Sequence, residues 1–378
     1  MSGHVRHVVL KIASRCNLNC SYCYLYNHAD RSIDSHPKRI PDDVVEQLCT
    51  RIANYTRDTG LTVGITLHGG EPTLLGRARF TALVERLRER LGTALGSLSV
   101  QTNATLIDAE WASTLAALDL TVGVSLDGTP AVHDRFRITH AGEGSYAATV
   151  RGIDRLRDTG IEPRILSVVD PSGDGAATYA HFRALGLRRV DFLLPDVSHD
   201  HRARLYGEEE APVFRFLDGA LDAWLEEGDA DVHIPLFTEL ITARLTGRAP
   251  RTDCFGNPAL SYIVVNADGS IEPLDALKVC EEGITQTSAN VARTDFLALS
   301  DDPGLLGRTL RGEVPLCREC RDCEHVVTCG GGYLPHRYSR ARGFDNPSVW
   351  CRDIKLLLAR IDAILRLERE RPCASVPA

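Results

Sequence analysis

The sequence predicts an α/β fold in which an open, partial (β/α)6 barrel precedes a cysteine-rich C-terminal region. Apolar, β-branched runs alternate with stretches of helical periodicity through the first half of the 378-residue chain. The alternation yields about six strand–helix units, which is fewer than the eight of a closed barrel. Five of the twelve cysteines then fall between Cys317 and Cys351, where the chain shows little periodicity.

The strands and helices of the barrel are predicted from these two periodicities, and parallel strands joined by right-handed crossovers follow from their order. The predicted strands are residues 8–12, 62–67, 97–101, 120–126, 164–169 and 189–194. The predicted helices are residues 42–57, 77–91, 108–118, 145–158 and 176–185. Asp42 and Asp108 are expected to be N-caps, and Gly60 and Gly160 are expected to follow helix ends.

The alternation of predicted strands and helices ends after residue 195, which indicates a domain boundary. Helices are expected over residues 211–226 and 236–245, a hairpin over 262–265 and 270–272, and a closing helix over 354–369. We therefore expect three parts, which are a barrel at 1–195, a helical bridging region at 196–250, and a cysteine-rich domain with its closing helix at 251–378.

Composition narrows the class of protein. A formal charge of −8 argues against a nucleic-acid partner. No stretch approaches the roughly 20 apolar residues that span a membrane, and residues 1–10 do not resemble a signal peptide. We expect a cytosolic protein, in which clustered cysteines bind metal rather than form disulfides. Cys49 and Cys373 lie apart from the other cysteines and are expected to be bystanders.

Three cysteines, Cys16, Cys20 and Cys23, follow the first predicted strand in the pattern CxxxCxxC. Three thiolates on one loop can bind one face of an iron–sulfur cubane and leave the fourth iron without a protein ligand. An open coordination position is typical of catalytic metal sites. The alternative is a zinc knuckle in which a nearby histidine such as His28 supplies the fourth ligand.

This motif, with Tyr22 before its last cysteine, resembles the radical SAM superfamily. The resemblance implies a TIM-like partial barrel and a [4Fe–4S] cluster with an open site, which binds S-adenosylmethionine and cleaves it to a 5′-deoxyadenosyl radical. Segments at later strand ends, 68–72, 101–105, 125–128 and 133–137, are similar to the family's cofactor contacts. The implied contact residues are Tyr22, Gly69, Gly70, Glu71, Pro72, Thr102, Asn103, Ser125, Asp127 and Arg137.

Specific roles are expected for some of these residues. Paired glycines at 69 and 70 let the backbone approach a ligand closely. Glu71 is expected to accept a hydrogen bond from the ammonium group of the ligand. Tyr22 is expected to pack near the adenine, with an ordinary core position as the alternative.

The C-terminal cysteines resemble the SPASM extension of peptide-modifying radical SAM enzymes. The resemblance implies that four thiolates form a closed auxiliary [4Fe–4S] site, for which structural zinc is the alternative. These ligands are Cys320, Cys323, Cys329 and Cys351.

The family's inner auxiliary site is altered, because Leu274 and Tyr333 stand where cysteines are usual. We expect a rearranged second auxiliary cluster formed by Cys254, Cys280 and Cys317. The alternative is that these three are ordinary thiols and that the chain holds a single auxiliary cluster.

Asp275 directly follows the first of the two missing cysteines. In SPASM enzymes that modify sulfatases, the matching aspartate looks like a general base near the substrate, so Asp275 is expected to be catalytic. The alternative is a structural residue that pairs with Lys278 or caps a turn.

Residues 330–336 and 343–348 resemble a subgroup that modifies ribosomally made precursor peptides, some members of which form cyclophane-type crosslinks. The first expectation is therefore a peptide maturase that makes a carbon–carbon or carbon–heteroatom crosslink. A sulfatase-maturing, formylglycine-forming oxidase is the second, and a non-catalytic metal-cluster scaffold is the third.

The expected partners follow from the same resemblance. They are a precursor peptide, a flavodoxin- or ferredoxin-like electron donor, and a separate leader-recognition protein where the barrel rim or the bridging region does not recognise the leader. The cysteine motif begins at residue 16, which leaves little room before it for a recognition domain.

Overall fold

Strands alternate with helices as far as residue 193 in the computed structural model, which describes residues 3–207, 209–250 and 252–370. The strands agree with the predicted ranges to within a few residues. They are β1 (His7–Ala13), β2 (Val63–Gly69), β3 (Leu95–Thr102), β4 (Thr121–Ser125), β5 (Arg164–Val168), β6 (Val190–Leu193), β7 (Tyr262–Val265) and β8 (Ile271–Glu272).

The predicted helices are confirmed, and short helices that the sequence pattern does not predict occur between them. The helices are α1 (Asp42–Thr59), α2 (Arg77–Leu91), α3 (Ala109–Ala117), α4 (Pro130–Phe136), α5 (Tyr146–Asp158), α6 (Gly175–Ala184), α7 (Arg202–Tyr206), α8 (Pro212–Glu227), α9 (Pro235–Thr246), α10 (Leu305–Arg311), α11 (Arg318–Arg321), α12 (Val326–Cys329) and α13 (Cys351–Glu370). Single-turn helices such as α11 and α12 have too few residues to show a period.

Helix ends follow the predicted chemistry with one exception. The Asp108 carboxylate accepts a hydrogen bond from the Trp111 amide at 2.7 Å, which is an N-cap. Asp42, in contrast, is the first helical residue of α1, and Pro41 occupies the cap position. The carboxylate of Asp42 therefore acts on the positive end of the helix dipole rather than as a cap. Gly60 ends α1 with a φ of 71°.

The chain divides into two compact units. The first comprises residues 3–168 and 259–314, and the second comprises the described residues of 169–258 and 315–370. These bounds differ from the predicted boundaries at 195 and 250, because residues 259–314 group with the barrel strands.

The first unit contains a sheet in the order β5-β4-β3-β2-β1-β7-β8. All neighbouring pairs are parallel except β7 and β8, which form the predicted hairpin. His7 on β1 lies opposite Gly64 on β2 and Tyr262 on β7, so the hairpin extends the barrel sheet beside β1. The C-terminal ends of the parallel strands therefore gather the loops that follow β1 to β4 at one edge.

The second unit contains β6 and packs helices around an aromatic core. The ring of Phe192 on β6 lies 5.5 Å from that of Phe216 and 6.0 Å from that of Phe237, between centroids. The Arg244 guanidinium pairs with Asp362 on α13 at 2.6 Å. Throughout the described ranges, none of the helices combines the length and the apolar character that crossing a lipid bilayer requires.

Candidate active site

The loop after β1 carries Cys16, Cys20 and Cys23 and is held in place by backbone hydrogen bonds. The Asn19 amide donates to the Ile138 carbonyl at 2.7 Å, and the Ser21 amide donates to the Phe136 carbonyl at 2.9 Å. The segment that follows α4 therefore fixes the loop from one side. Within the loop, the Cys23 amide donates to the Cys20 carbonyl at 2.9 Å, which turns the chain between these two cysteines.

Polar donors surround the three thiols. The Leu18 amide lies 3.4 Å from the Cys16 sulfur, and the Asn103 side-chain amide lies 3.8 Å from the same sulfur. An Arg137 guanidinium nitrogen lies 3.8 Å from the Cys20 sulfur. Donors to sulfur suit thiolates that bind a metal, so the surroundings of the loop fit an anionic iron–sulfur group.

Burial is the main cause that raises the pKa of these thiols, to about 12 for Cys16 and about 11 for Cys23. Because iron binds the thiolate, cluster assembly must release protons from this loop. Among the described residues, no three His, Cys, Asp or Glu side chains converge on a point that could hold a single metal ion.

The glycines at 69 and 70 let the end of β2 approach the chain just before the cysteine loop. The Gly70 amide donates to the Ala13 carbonyl at 2.8 Å. A Cβ at Gly69 would lie 2.2 Å from the Ala13 oxygen, and one at Gly70 would lie 2.4 Å from the Arg15 oxygen and 2.1 Å from the Tyr26 hydroxyl. The close approach is therefore between two protein backbones, rather than between backbone and ligand alone.

Glu71 is fully buried and accepts hydrogen bonds from three neighbouring residues. One carboxylate oxygen accepts from the Thr73 hydroxyl at 2.7 Å, the Thr73 amide at 3.1 Å and the Thr102 hydroxyl at 2.7 Å. The other accepts from the Asn103 amide at 2.8 Å. The Glu71 amide itself donates to the Arg15 carbonyl at 2.9 Å. Glu71 therefore ties together the ends of three strands, and its contact with a ligand ammonium stays a prediction.

The segment after β3 continues this network. The Asn103 side-chain amide donates to the Asn17 side-chain oxygen at 2.9 Å, and the Thr105 hydroxyl donates to the Asn103 side-chain oxygen at 2.6 Å. The Asn17 side-chain amide donates to the Thr105 hydroxyl at 2.8 Å, which closes the ring of contacts. Pro72 begins the short 3-10 helix Pro72–Leu75, where a missing amide proton costs nothing.

The segment after β4 contacts the cysteine loop through Asp127, which is fully buried. One carboxylate oxygen accepts from the Tyr22 hydroxyl and from the Arg137 guanidinium, the latter at 3.0 Å. The other accepts from the Val168 amide at 3.1 Å. The Ser125 hydroxyl accepts from Gln101 at 3.0 Å. Tyr22 is thus held by its hydroxyl, while its packing against an adenine stays a prediction.

Buried polar side chains that sequence reasoning missed surround Asp275. They include Lys11 on β1 and His68 on β2. The Lys11 ammonium forms an ion pair with the Asp275 carboxylate, and the Tyr24 hydroxyl donates to the same carboxylate at 2.8 Å. The Lys11 ammonium also lies 3.2 Å from the His68 Nδ1 atom. A lysine within an apolar strand is the sequence signal that could have revealed this group.

The electrostatic state of this group follows from burial and from Lys11. Burial alone would raise the pKa of Asp275, but the Lys11 ammonium, His68 and the two hydrogen bonds lower it to about 2. Burial, reinforced by Lys11, lowers the pKa of His68 to about 3. At neutral pH the carboxylate is therefore ionised and the imidazole is uncharged.

The alternative prediction for Asp275 is an ion pair with Lys278, and the structure shows that this pairing is wrong. The fully buried Lys278 ammonium instead donates to Glu272 and Thr285, each at 3.0 Å, and lies 3.6 Å from Asp30. Its charge is compensated within that cluster. Asp275 is left to pair with the strand lysine.

The second unit brings the predicted auxiliary ligands together around a cavity of about 180 Å³. The thiols that line it are those of Cys320, Cys323, Cys329 and Cys351. Burial raises the pKa of Cys329 to about 11, although the nearby amides of Gly331 and Gly332 oppose the shift. Four thiols around one cavity fit the chemistry of a closed cluster.

The three cysteines proposed for an inner site are divided between the two units. Cys317 belongs to the second unit, is fully buried, and hydrogen-bonds with Cys320. Cys254 also belongs to the second unit and lies beside Asp253, with its sulfur 3.5 Å from a carboxylate oxygen. Cys280 is buried in the first unit. The rearranged inner cluster therefore stays a prediction.

The bystander cysteines divide between described and undescribed parts of the chain. Cys49 is buried in α1, as expected for a core residue. Cys373 lies outside the described residues.

Comparison with known families decides what this arrangement is. Residues 10–172, which span β1 to the end of β5 and its following turn, match the Radical SAM superfamily. The chain contains a radical SAM domain. Its activation of S-adenosylmethionine by an iron–sulfur cluster is therefore the chemistry of the first unit, and the chain is a radical SAM enzyme with a cysteine-rich C-terminal extension.

Relatives match along nearly the whole chain. A cysteine-type anaerobic sulfatase-maturating enzyme of Clostridium novyi is 23% identical over 350 residues, which cover 91% of each chain. A serine-type anaerobic sulfatase-maturating enzyme of Klebsiella aerogenes is 26% identical over 336 residues, covering 87% of this chain and 80% of the relative. The solved structure of native anSMEcpe with bound AdoMet has a TM-score of 0.81 at 23% identity, covering 96% of this chain and 99% of that one.

These findings correct the first functional expectation. A crosslink-forming maturase of ribosomally made peptides is an expectation that rests on short segments at 330–336 and 343–348. The relatives that match over nine-tenths of the chain are sulfatase-maturating enzymes instead. The expectation of a crosslink-forming maturase is therefore wrong, and the second expectation takes its place. The fold, by contrast, is confirmed as a radical SAM barrel with a C-terminal extension.

The contact at Gly70 yields a test of how the cysteine loop is positioned. Gly70→Ala should lower the free energy of unfolding by about 1–3 kcal/mol, because the added methyl overlaps the Arg15 carbonyl. It should also lower the iron content after reconstitution. Thermal unfolding and iron analysis check both effects.

Gly60→Ala is the matched control for this substitution. Gly60 has a left-handed φ of 71°, but an added methyl there would have no atom within 4 Å, so the substitution introduces backbone strain alone. Equal iron content in the Gly60 and Gly70 variants would show that the close approach does not position the loop.

Proposed function

We propose that this chain is an anaerobic sulfatase-maturating enzyme, which oxidises a cysteine or serine side chain of a sulfatase polypeptide to the aldehyde of formylglycine. The observation that carries the proposal is the match to such enzymes over 91% of both chains. The anSMEcpe protein has also been solved with bound AdoMet and the Kp18Cys peptide, at a TM-score of 0.79 to this chain. A peptide is therefore the proposed substrate.

The residues after β1 to β4 fit the cofactors that the family requires. Cys16, Cys20 and Cys23 would hold the cluster, and the loops tied together by Glu71 and Asp127 would hold S-adenosylmethionine. When bound, these groups supply a 5′-deoxyadenosyl radical that abstracts hydrogen from a carbon of the substrate. The protein contributes orientation, exclusion of water, and a place for the proton that leaves the substrate.

Asp275 is the proposed acceptor of that proton. Oxidation of the CH–OH or CH–SH unit removes one hydrogen atom from carbon, one proton from the heteroatom and one electron, which an auxiliary cluster would accept. An alcohol then gives the aldehyde directly, whereas a thiol gives a thioaldehyde that water hydrolyses with release of hydrogen sulfide. The Asp275 carboxylate is buried and ionised, so it can receive a proton without first losing one. Because its pKa is low, the carboxylate is a weak base. It therefore accepts the proton of the substrate heteroatom only when oxidation of the neighbouring carbon has made that proton acidic.

Lys11 and Tyr24 are the proposed positioning residues for Asp275. The Lys11 ammonium stabilises the ionised carboxylate in a site where burial opposes it. The Tyr24 hydroxyl, at 2.8 Å, fixes the orientation of one oxygen. Because Tyr24 follows Cys23 directly, the hydrogen bond also links Asp275 to the cysteine loop.

The remaining expectations become part of the proposal. We propose one auxiliary cluster at Cys320, Cys323, Cys329 and Cys351, and the inner site at Cys254, Cys280 and Cys317 as a second. A flavodoxin- or ferredoxin-like protein is the proposed electron donor, and a separate recognition protein for a leader is not required by a sulfatase substrate. A reducing cytoplasm is the proposed location, since thiols there stay available to iron.

A peptide assay tests the proposed function. Anaerobically reconstituted protein, S-adenosylmethionine and a reductant are incubated with a sulfatase-derived peptide that carries cysteine, serine or alanine at the target position. We expect an aldehyde, captured by a hydrazide probe, from the cysteine or the serine peptide and none from the alanine peptide. The variant with Cys16, Cys20 and Cys23 changed to alanine should make neither aldehyde nor 5′-deoxyadenosine.

Two results would separate the competing functions. Formation of 5′-deoxyadenosine without aldehyde from either peptide would contradict sulfatase maturation while leaving the radical chemistry intact. Absence of both products from iron-loaded protein would favour the scaffold.

Substitution of Asp275 tests its role as proton acceptor. Asp275→Asn should lower the rate of aldehyde formation by about 100-fold or more, and should lower 5′-deoxyadenosine formation much less. The comparison of the two products in one reaction provides the measurement. Asp268→Asn, at the turn of the same hairpin, is the control, because its side chain is 40% exposed. Parallel loss of both products would show that Asp275 is structural.

Substitution of Lys11 tests the electrostatic role of the ion pair through the pH profile. In the native protein the pKa of Asp275 is about 2, so this carboxylate contributes no acid limb near neutral pH. Lys11→Met removes the largest cause that lowers the pKa, so the pKa should rise, although His68 and the Tyr24 hydrogen bond still oppose the effect of burial. An acid limb should therefore appear in kcat/KM for aldehyde formation, with activity lost as the pH falls.

Two further variants assign this limb. Lys11→Arg keeps the charge and should keep the native profile. Adding His68→Gln to Lys11→Met should leave the limb in place if it belongs to Asp275. A limb that disappears with His68 would contradict the assignment, as would a profile that Lys11→Met does not change.

A further inference from the structure

Arg337 is a fully buried arginine in the second unit whose guanidinium forms no salt bridge with a carboxylate among the described residues. Its Nη2 atom donates to the carbonyls of Pro315 and Phe344, the latter at 3.2 Å. Its Nη1 atom lies 3.4 Å from the Asn257 side-chain oxygen. Within the described ranges its Nε atom has no hydrogen-bond partner, and the guanidinium forms no ion pair. A buried cation without an anion is destabilising, so the site indicates a missing negative charge.

Two ligands of the auxiliary cysteine cluster and the neighbouring Cys317 lie within electrostatic range of this cation. Burial lowers the pKa of Arg337, and the thiols of Cys320 and Cys317, the exposed carboxylate of Asp345 and the thiol of Cys329 oppose that effect. A Cβ built on Gly331 would lie 3.6 Å from the Arg337 Nε atom, so the unpartnered donor lies against the turn that follows Cys329. Arg337 therefore packs against Gly331, which lines the cluster cavity.

The turn itself is built to present donors to sulfur. Gly330, Gly331 and Gly332 have φ angles of 60°, 85° and 74°, which disfavour other residues. The nearby amides of Gly331 and Gly332 lower the pKa of the Cys329 thiol, and the Gly332 amide donates to the Cys329 carbonyl at 2.9 Å. Consecutive amides that face one group form an anion-binding concavity. Two independent features, the turn and the buried guanidinium, thus point to negative charge at the same place.

An iron–sulfur cluster held by four thiolates supplies that charge. Such a group carries net negative charge, which grows by one unit on reduction, and hydrogen bonds and positive charge nearby raise its reduction potential. Water screens an exposed cation such as Lys355, which also lines the cavity, far more than it screens a buried one.

We propose that Arg337 is the counter-ion of the cluster at Cys320, Cys323, Cys329 and Cys351, and that its buried charge raises the reduction potential of that cluster. Arg337 contacts no substrate and is a positioning and tuning residue. The inference rests on the four-thiolate assignment and holds whichever peptide the enzyme oxidises. A higher potential makes the cluster a better electron acceptor.

The test is a redox titration followed by EPR on the full chain. Cys16, Cys20 and Cys23 are changed to alanine in every sample, so that the signal comes from auxiliary sites, and Cys351→Ala identifies the signal of this cluster by its loss. Arg337→Met and Arg337→Gln remove the charge, and the glutamine amide can still donate to the carbonyls. Arg337→Lys keeps the charge. Arg360→Gln removes an arginine of the same unit that pairs with Asp218 and Asp222 on α8.

We expect the midpoint potential to fall in Arg337→Met and Arg337→Gln and to stay at the native value in Arg337→Lys and Arg360→Gln. Unchanged potentials in the two neutral variants would overturn the proposal, and so would an equal fall in Arg337→Lys.

If the neutral variants do not retain the cluster, the iron content of the variants tests the proposal instead. Retention of iron by Arg337→Lys alone would support a need for charge. Loss of iron from Arg337→Lys as well would overturn the proposal, since the residue would then serve as a clamp for the Pro315 and Phe344 carbonyls.

Discussion

The candidate site depends on one buried carboxylate that joins three strand ends. Glu71 accepts from residues after β2 and β3, and its own amide donates to Arg15, just before the first cysteine of the loop. Through Asn103 the same network reaches the Cys16 sulfur. A buried carboxylate with several donors is costly to disrupt, because each donor would lose its partner without gaining water. The position of the cysteine loop is therefore a property of the barrel, not of the loop alone.

Buried charged side chains are a second feature of the structure, and several of them have an opposite charge close by. Asp127 is neutralised by Arg137, and Asp275 is neutralised by Lys11. Lys278 lies between Glu272 and Asp30. Arg337 forms no ion pair within the described residues, and the thiols of Cys320 and Cys317 act on it more strongly than the exposed carboxylate of Asp345. An ion pair whose two charges both belong to the protein stabilises the local geometry. A buried charge without an opposite charge in the protein indicates instead a charged group that the protein binds.

Much of the fold could be predicted from the sequence, because the spacing of apolar residues and the residues that begin and end each element are local signals. The strands β1 to β6 and the long helices follow from apolar spacing. The placement of β7 beside β1 does not, since parallel pairing between residues 7–10 and 262–265 leaves no mark in either segment. For the same reason, sequence proximity suggests Lys278 as the partner of Asp275, while the sheet supplies Lys11. The residues of the cysteine motifs can be found because their spacing alone is distinctive.

The substrate class could not be read from short motifs. Residues 330–336 suggest peptide crosslinking, but the glycines of that segment serve the turn at Cys329 and carry no information about a substrate. The match over 91% of the chain is the better guide, because it spans far more of the sequence than two short segments.

The most direct measurement of the central claim is EPR of the reduced protein with and without S-adenosylmethionine. If Cys16, Cys20 and Cys23 hold a cluster with an open iron, addition of S-adenosylmethionine should change one signal, and Cys16→Ala should remove that signal and the change together. A spectrum that is insensitive to S-adenosylmethionine in protein with full iron content would contradict the account.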